Sequence, residues 1–318
     1  MPARERVIAW AHSSQQTLLR EALGAANLQL AAVGSDDLAS AAELADAFGV
    51  SRETDLRHAS SCTGAGMVWF LMPRSLTQDE CHVLRERSMK ALCLHPPVIS
   101  LSDAAADTSN LLEARFAPLM QVSPAARAAT DVLESFGERR CLQIFMGCGL
   151  AEGSTVGRLF DAMAMVQHML GPAQAVTASM ASATTDPLDS LDHIRGSMNV
   201  HVRCAGRASA SITVTNEAGR WSRSMAMVGD AGMLTMDDSG FHWTHRNGST
   251  VAEHRVPPPH SAGALLGVQA ARWLESHDAS DPPPNVPAVL SMCEAARLSC
   301  LTGQPEHPGR VMKVLSKP

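Results

Sequence analysis

The first third of the chain alternates short apolar runs with stretches of helical period. Arg6-Val7-Ile8-Ala9-Trp10 reads as a buried strand, and Leu18, Leu19, Ala22 and Leu23 then recur at helical spacing. Leu28 to Val33 is a second strand, and Leu38 to Phe48 an Ala/Leu-rich helix stopped by Gly49. Met67 to Met72 is a continuous apolar run, the pattern of a strand covered on both faces. The pattern further predicts a helix over Thr77 to Arg87, a short strand over Ala91 to Leu94, a helix from Ser102 to Ala114 and a strand over Ala117 to Val122. Strand and helix alternating over short connections is the grammar of a parallel, doubly wound sheet.

After Ser123-Pro124 the pattern changes. A helix (Ala125 to Ser135) leads to a strand (Cys141 to Met146) and a longer helix (Thr155 to Leu170). Strand-like runs then follow closely: 173–180, 197–204, 208–215, 223–228, 232–236 and 241–245. Turn residues such as Gly206, Asn216-Glu217, Gly229-Asp230 and Asp237-Asp238 join them, which predicts a largely antiparallel sheet. Two proline triplets, at 257–259 and 282–284, flank a helix from Ser261 to Ser276, and a last helix runs from Pro287 to Leu301. The expected fold class is α/β. Residues 1–122 form a Rossmann-like, doubly wound parallel sheet. Residues 123–318 form an α+β domain with a large, mostly antiparallel open sheet.

Composition narrows the function classes. The 318 residues are 45% hydrophobic and carry a formal charge of −6, enough apolar material for a sizeable core and no basic footprint for nucleic acid. There is no tyrosine, which excludes hydride-transfer enzymes of the short-chain (Tyr-x-x-x-Lys) and aldo-keto types. The eight cysteines include no Cys-x-x-Cys pair and read as reduced, mostly buried thiols. No signal-peptide core and no apolar run of membrane-spanning length is visible. The expectation is a cytoplasmic protein with no membrane and no nucleic-acid partner.

Candidate chemistry begins at the first strand-to-helix turn, where a dinucleotide fold places Gly-x-Gly-x-x-Gly. Here the turn is Trp10-Ala11-His12-Ser13-Ser14-Gln15-Gln16, without glycine. Ser13 and Ser14 offer hydroxyl and N–H donors to a phosphate, or serve as helix N-caps. At the end of the second strand, Ser35 and Asp36 occupy the ribose position. Asp36 would repel a 2′-phosphate, or Asp36 and Asp37 cap the next helix. A second glycine-containing segment, Gly147-Cys148-Gly149-Leu150-Ala151-Glu152-Gly153, has one residue too many for the fingerprint and reads as a connection. His242 and His245 point to opposite faces of a strand, which argues against a shared metal ion.

Six stretches taken together resemble the Gfo/Idh/MocA family of NAD(P)-dependent oxidoreductases. Asp46 to Val50 with Asp55-Leu56 resembles "A-x-x-F-G-V … D-L"; Phe70-Leu71-Met72-Pro73-Arg74-Ser75-Leu76 resembles "I-A-T-P-x-S-L-H"; Leu92 to Pro97 resembles "L-C-E-K-P-L". Gln167 to Gly171 resembles "R-W-L-L-G", Gly229 to Asp238 resembles "G-T-E-G-T-L-x-L-D-D", and Thr302-Gly303-Gln304-Pro305 resembles "T-G-x-P". The landmarks occur in order over nearly the whole chain. The resemblance implies a Rossmann-like domain plus an open-sheet domain, a nicotinamide cofactor, a sugar, cyclitol or related polyol as substrate, and a homo-oligomer formed through the C-terminal sheet. It implies cofactor contacts at Ala11, His12, Ser13, Ser14, Ser35, Asp36, Met72, Pro73, Leu76, His95 and Pro96, with NAD favoured over NADP.

The chemical positions depart from the family pattern. Ala11, Ser13 and Gln16 stand where the glycines belong, and His95 replaces the lysine of E-K-P. In the register counted back from Gly171, Asp161 takes the place of the histidine in "D-x-G-x-H-x-x-D". Oxidising an alcohol needs a base for the hydroxyl proton, and a histidine oriented by an aspartate supplies one. His95 and Asp161 are therefore expected as a reversed catalytic pair, unless His95 only shapes a loop and Asp161 only caps a helix. The alternative function is a non-catalytic homologue, either a scaffold or regulatory partner or a small-molecule binder.

Overall fold

The computed structural model describes residues 5–72, 76–97, 114–181, 188–275 and 284–315. Its first sheet has six parallel strands: β1 (Arg6–Trp10), β2 (Gln29–Gly34), β3 (Ser51–Glu53), β4 (Met67–Phe70), β5 (Lys90–Cys93) and β6 (Ala114–Phe116). They run in the order β3-β2-β1-β4-β5-β6, so the order reverses between β1 and β4. In such a sheet the ligand crevice lies outside the carboxyl ends of the strands at that reversal. Strand alternation explains how the sheet is covered. Val7 and Ala9 join a core with α1 (Gln16–Ala26), while Ile8 and Trp10 face the opposite core. That opposite side is closed by α3 (Leu56–Thr63) and α4 (Gln78–Glu86), with α2 (Leu38–Phe48) beside β2.

Caps place the helix ends. Asp37 accepts from the N–H groups of Ala39 and Ser40 and opens α2, and Asp55 does the same for α3 through Arg57. Thr77 and Glu80 form a capping box on α4. The strand expected over 117–122 lies three residues earlier, because Pro118 has no N–H to give the ladder and pairing stops after Ala117 N–H bonds Cys93 O. The helix expected over 102–114 falls outside the described residues, apart from Ala114, which opens β6.

Two short helices, α5 (Pro124–Ala128) and α6 (Thr130–Ser135), lead to the second sheet. Its strands are β7 (Arg139–Gly147), β8 (Ala173–Ala181), β9 (Ser197–Cys204), β10 (Ser209–Thr215), β11 (Ser222–Gly229), β12 (Gly232–Asp237), β13 (Gly240–Thr244) and β14 (Thr250–Arg255). The order is β14-β13-β12-β11-β7-β10-β9-β8, and the β7–β10 pairing is parallel while the others are antiparallel. One face packs on α7 (Thr155–Leu170) and α9 (Val286–Thr302), and α10 (Pro308–Leu315) closes its edge. Met225, Met227 and Met236 point into that core, whereas Val228 and Met233 face outward.

Between the last strand and α9 the chain returns to the first sheet. Helix α8 (Ala262–Glu275) lies against α1, and its two glycines four residues apart allow the contact. A Cβ on Gly263 would stand 2.5 Å from Leu18 O, and one on Gly267 2.3 Å from Ala22 O.

Candidate functional site

Among the described residues, the strand ends at β1 and β4 are apolar and buried. Ala11, Leu71, Leu94 and Ala117, the residues that follow β1, β4, β5 and β6, are all at most 1% exposed. They share one apolar cluster with Cys148 and Trp221 from the second domain. Burial pushes the Cys148 thiol up to about 11, so it is protonated and inert at neutral pH. The turn at the start of α1 is held from within. His12, not a serine, is the N-cap: its ring accepts from Ser14 N–H, and Gln15 Oε1 accepts from His12 N–H at 3.0 Å. Gln15 is buried, and its amide donates to Leu71 O at 2.9 Å and to Ala151 O at 3.3 Å. The second bond ties the turn to the 147–153 loop of the other domain.

Along the strand ends toward β2 the residues are more polar. Ser40 Oγ donates to Ser13 Oγ at 3.3 Å, and Ser35 Oγ donates to Met72 Sδ at 3.5 Å. Asp36 is exposed, and Asp37 is the residue that caps α2. Leu76 N–H bonds Pro97 O at 3.3 Å, Pro96 is buried beside it, and Pro73 lies outside the described residues.

His95 and Asp161 are both buried, but each is bonded to other groups. His95 Nε2 faces Leu71 O at 3.2 Å, and a carbonyl only accepts, so Nε2 carries the proton. Nδ1 then accepts from Ser154 Oγ at 2.7 Å. Ser154 in turn accepts from Gly157 N–H as N-cap of α7, so the lock on His95 spans the two domains. Burial, reinforced by the positive charge of Arg158, lowers the His95 pKa to about 3. The ring is neutral at physiological pH and both of its nitrogens are engaged.

Asp161 belongs to a buried charge cluster. It accepts from Met120 N–H at 2.8 Å and from Arg223 Nη1 at 2.9 Å, and Arg158 Nη1 stands 3.6 Å away. Arg223 also grips Asp238 through Nη2 at 2.6 Å and donates to Pro118 O at 3.0 Å, while Trp221 Nε1 donates to Asp238 at 2.9 Å. Burial opposes the Arg223 charge, but Asp238 and Asp161 outweigh it and its pKa rises. Arg158 is fully buried and lies with its guanidinium carbon 4.1 Å from the Trp221 ring centre. Among the described residues its three nitrogens find no hydrogen-bond partner.

Sequence reasoning missed Gln15, Cys148, Ser154, Arg158, Trp221, Arg223 and Asp238 as members of this site. One signal was available. Arg223 sits on the same strand phase as Met225 and Met227, so a charge was placed on the inward face of a sheet and required buried partners.

A separate cleft of about 930 Å³ opens between the domains on the other side of Gln15. Ser14, Thr17 and Glu21 of α1 line one wall, Glu152 and the 149–151 backbone another, and Arg195, Asn216 and Glu217 a third. It is rich in donors and acceptors. Ser261 Oγ bonds Glu21 at its edge, and Glu152 Oε2 accepts from Gly149 N–H.

No protein-family model matches this chain, and no curated protein matches it in sequence. Solved structures do match in fold over nearly the full length. GenD2 from gentamicin A biosynthesis, in complex with NAD, superposes with a TM-score of 0.71 at 18% identity, covering 96% of this chain and 97% of its own. A levoglucosan dehydrogenase complexed with NADH and L-sorbose gives 0.71 at 12% identity, covering 95% and 98%. A myo-inositol dehydrogenase from Corynebacterium glutamicum gives 0.67 at 15% identity, covering 96% and 99%. These are Gfo/Idh/MocA-type oxidoreductases, and the chain has their fold, a six-stranded parallel sheet with a second, eight-stranded, mostly antiparallel one. Among the described residues no helix is long and apolar enough to cross a membrane.

Proposed function

We propose that this chain is a divergent NAD-dependent oxidoreductase acting on a sugar, cyclitol or related polyol, with its hydride-transfer crevice shut by contacts between the two domains. The observation that carries this reading is the placement of the lock. Both contacts that close the crevice, Ser154 to His95 and Gln15 to Ala151, run between the first sheet and the loop after β7. Hinging the second domain away would withdraw Cys148 and Trp221 from the strand ends and free Nδ1 of His95. A neutral imidazole with a free nitrogen is a competent acceptor for a hydroxyl proton while hydride leaves the carbon.

The nicotinamide dinucleotide would supply the hydride acceptor. The turn over Ser13 and Ser14 and the polar strand ends at Ser35 and Met72 fit its phosphates and ribose, and exposed Asp36 disfavours the 2′-phosphate of NADP. The structures of this fold that carry NAD or NADH support the same class of cofactor. The interdomain cleft, with its carboxylates, hydroxyls and Arg195, suits a polyhydroxylated ligand. Asp161 is a positioning residue that anchors Arg158 and Arg223. The outward face of the second sheet, with Phe145, Val228, Met233 and Val251 exposed, suits a homo-oligomer contact.

A second reading is a non-catalytic homologue that keeps the fold as a polyol binder or scaffold. It is favoured by the same His95 geometry if the lock never opens. Titration with NADH and NADPH, followed by quenching of the tryptophans, and then a dehydrogenase screen on polyols separates the two. NADH binding with turnover that His95→Ala abolishes supports the oxidoreductase. NADH binding without turnover on any polyol supports the second reading. No binding of either nucleotide at millimolar concentration overturns the first.

A further inference from the structure

On the side of the first sheet opposite α1, three side chains stand in a line. Helix α3 places His58 and Cys62 four residues apart, hence on one face. His58 Nδ1 lies 2.7 Å from Glu53 Oε2, and Cys62 Sγ lies 3.4 Å from His58 Nε2. The carboxylate of Glu53 can only accept, so Nδ1 of His58 carries the proton and Nε2 presents its lone pair to the thiol. Glu53 closes β3 and is only 9% exposed, so the orienting group is fixed by the sheet, while His58 and Cys62 are open to solvent. Nucleophile, base and orienting carboxylate are thus in series, the arrangement that activates a thiol. Arg87 adds a positive charge one residue away, through its bond to Ser61 Oγ at 2.9 Å.

We propose that Cys62 is a reactive thiol, activated by His58 and Glu53, that is modified by small disulfides of the glutathione type. The Cys62 proton passes to His58 Nε2 as Sγ attacks one sulfur of the disulfide. The disulfide's S–S bond breaks, the Cys62–S–S bond forms, and the departing thiolate takes the proton back from His58. One thiol and one disulfide become one mixed disulfide and one small thiol, with no further oxidant. Five other cysteines are buried, and Cys300 is half-buried, so none of them competes on accessibility.

Cys141 is also exposed, on the second sheet, and serves as an internal control. The full-length protein is treated with oxidised glutathione from pH 6 to 8, and the rate at each cysteine is read by peptide mass mapping. At neutral pH we expect Cys62 to react about tenfold faster than Cys141 or more. His58→Ala and Glu53→Gln should each bring Cys62 down toward the Cys141 rate. His58 is exposed, so its removal tests the relay without disturbing the core. Equal rates at Cys62 and Cys141 in the unaltered protein would overturn the proposal. So would a Cys62 advantage that survives both substitutions, since exposure alone would then explain it.

Discussion

The buried strand ends and the open cleft lie on either side of one loop, and they are built from opposite materials. Cys148 at the start of the loop packs into the apolar cluster over the strand ends, while Gly149 to Glu152 line the polar cleft. The crevice holds a neutral, doubly bonded histidine beside a buried charge cluster. The cleft holds exposed carboxylates and hydroxyls around about 930 Å³ of space. The difference teaches that closing one and shaping the other are a single structural act. A ligand that pulls the 150–152 backbone toward the cleft also draws on the Gln15–Ala151 bond that keeps the crevice closed.

The sharpest way to break this contrast is on the buried side. Arg223→Met strands Asp238, Asp161 and Pro118 O together, and we expect a loss of about 3–5 kcal/mol in urea unfolding. Glu217→Gln in the cleft wall should stay within about 0.5 kcal/mol of the unaltered protein. Similar losses for the two would erase the distinction.

Acid titration probes the locked histidine. An unfolded histidine takes its proton near pH 6.5, whereas His95 in the folded chain holds out to about pH 3. Between those values the unfolded state binds more protons, so stability falls as pH drops, by about 1.4 kcal/mol per pH unit. His95→Asn should lose that component of the slope between pH 6.5 and 5. An unchanged slope would show that His95 is not held neutral.

Gly263→Ala tests the cleft wall. The added Cβ would meet Leu18 O and the Glu21 side chain, so α8 must move off α1, with an expected cost of about 1–3 kcal/mol in thermal unfolding. Among the substitutions expected to destabilise, Ser154→Ala has the smallest effect, about 1 kcal/mol for the lost N-cap of α7. Its sharper readout is NMR titration of His95, which should move up from about 3 once Nδ1 has lost its donor.

Much of the architecture was legible because it follows from periodicity. Apolar runs such as Met67 to Met72 and alternating runs such as Ser197 to Cys204 became strands of the two sheets with little displacement. Elements whose stability comes from context were not legible. β3 (Ser-Arg-Glu) and β14 (Thr-Val-Ala-Glu-His-Arg) are polar edge strands with little apolar signal, and α3 announces itself only through Asp55. The candidate site was legible by position and not by contact. His95 and Asp161 do lie in the buried zone between the domains, but their partners Ser154 and Arg223 come from distant segments. A single sequence records that Arg223 faces inward; it does not record which carboxylates receive it.

The most direct test of the proposed oxidoreductase function, with its crevice held shut by the second domain, is a pair of NADH titrations, one on the unaltered chain and one on Gln15→Ala. Gln15 contributes the bond to Ala151 that ties the turn to the second domain. Loosening that tie raises the fraction of open molecules, and apparent affinity scales with that fraction. The expected result is weak NADH binding by the unaltered chain and binding at least about fivefold tighter by Gln15→Ala. Superimposable curves, or no binding by either protein, would contradict it.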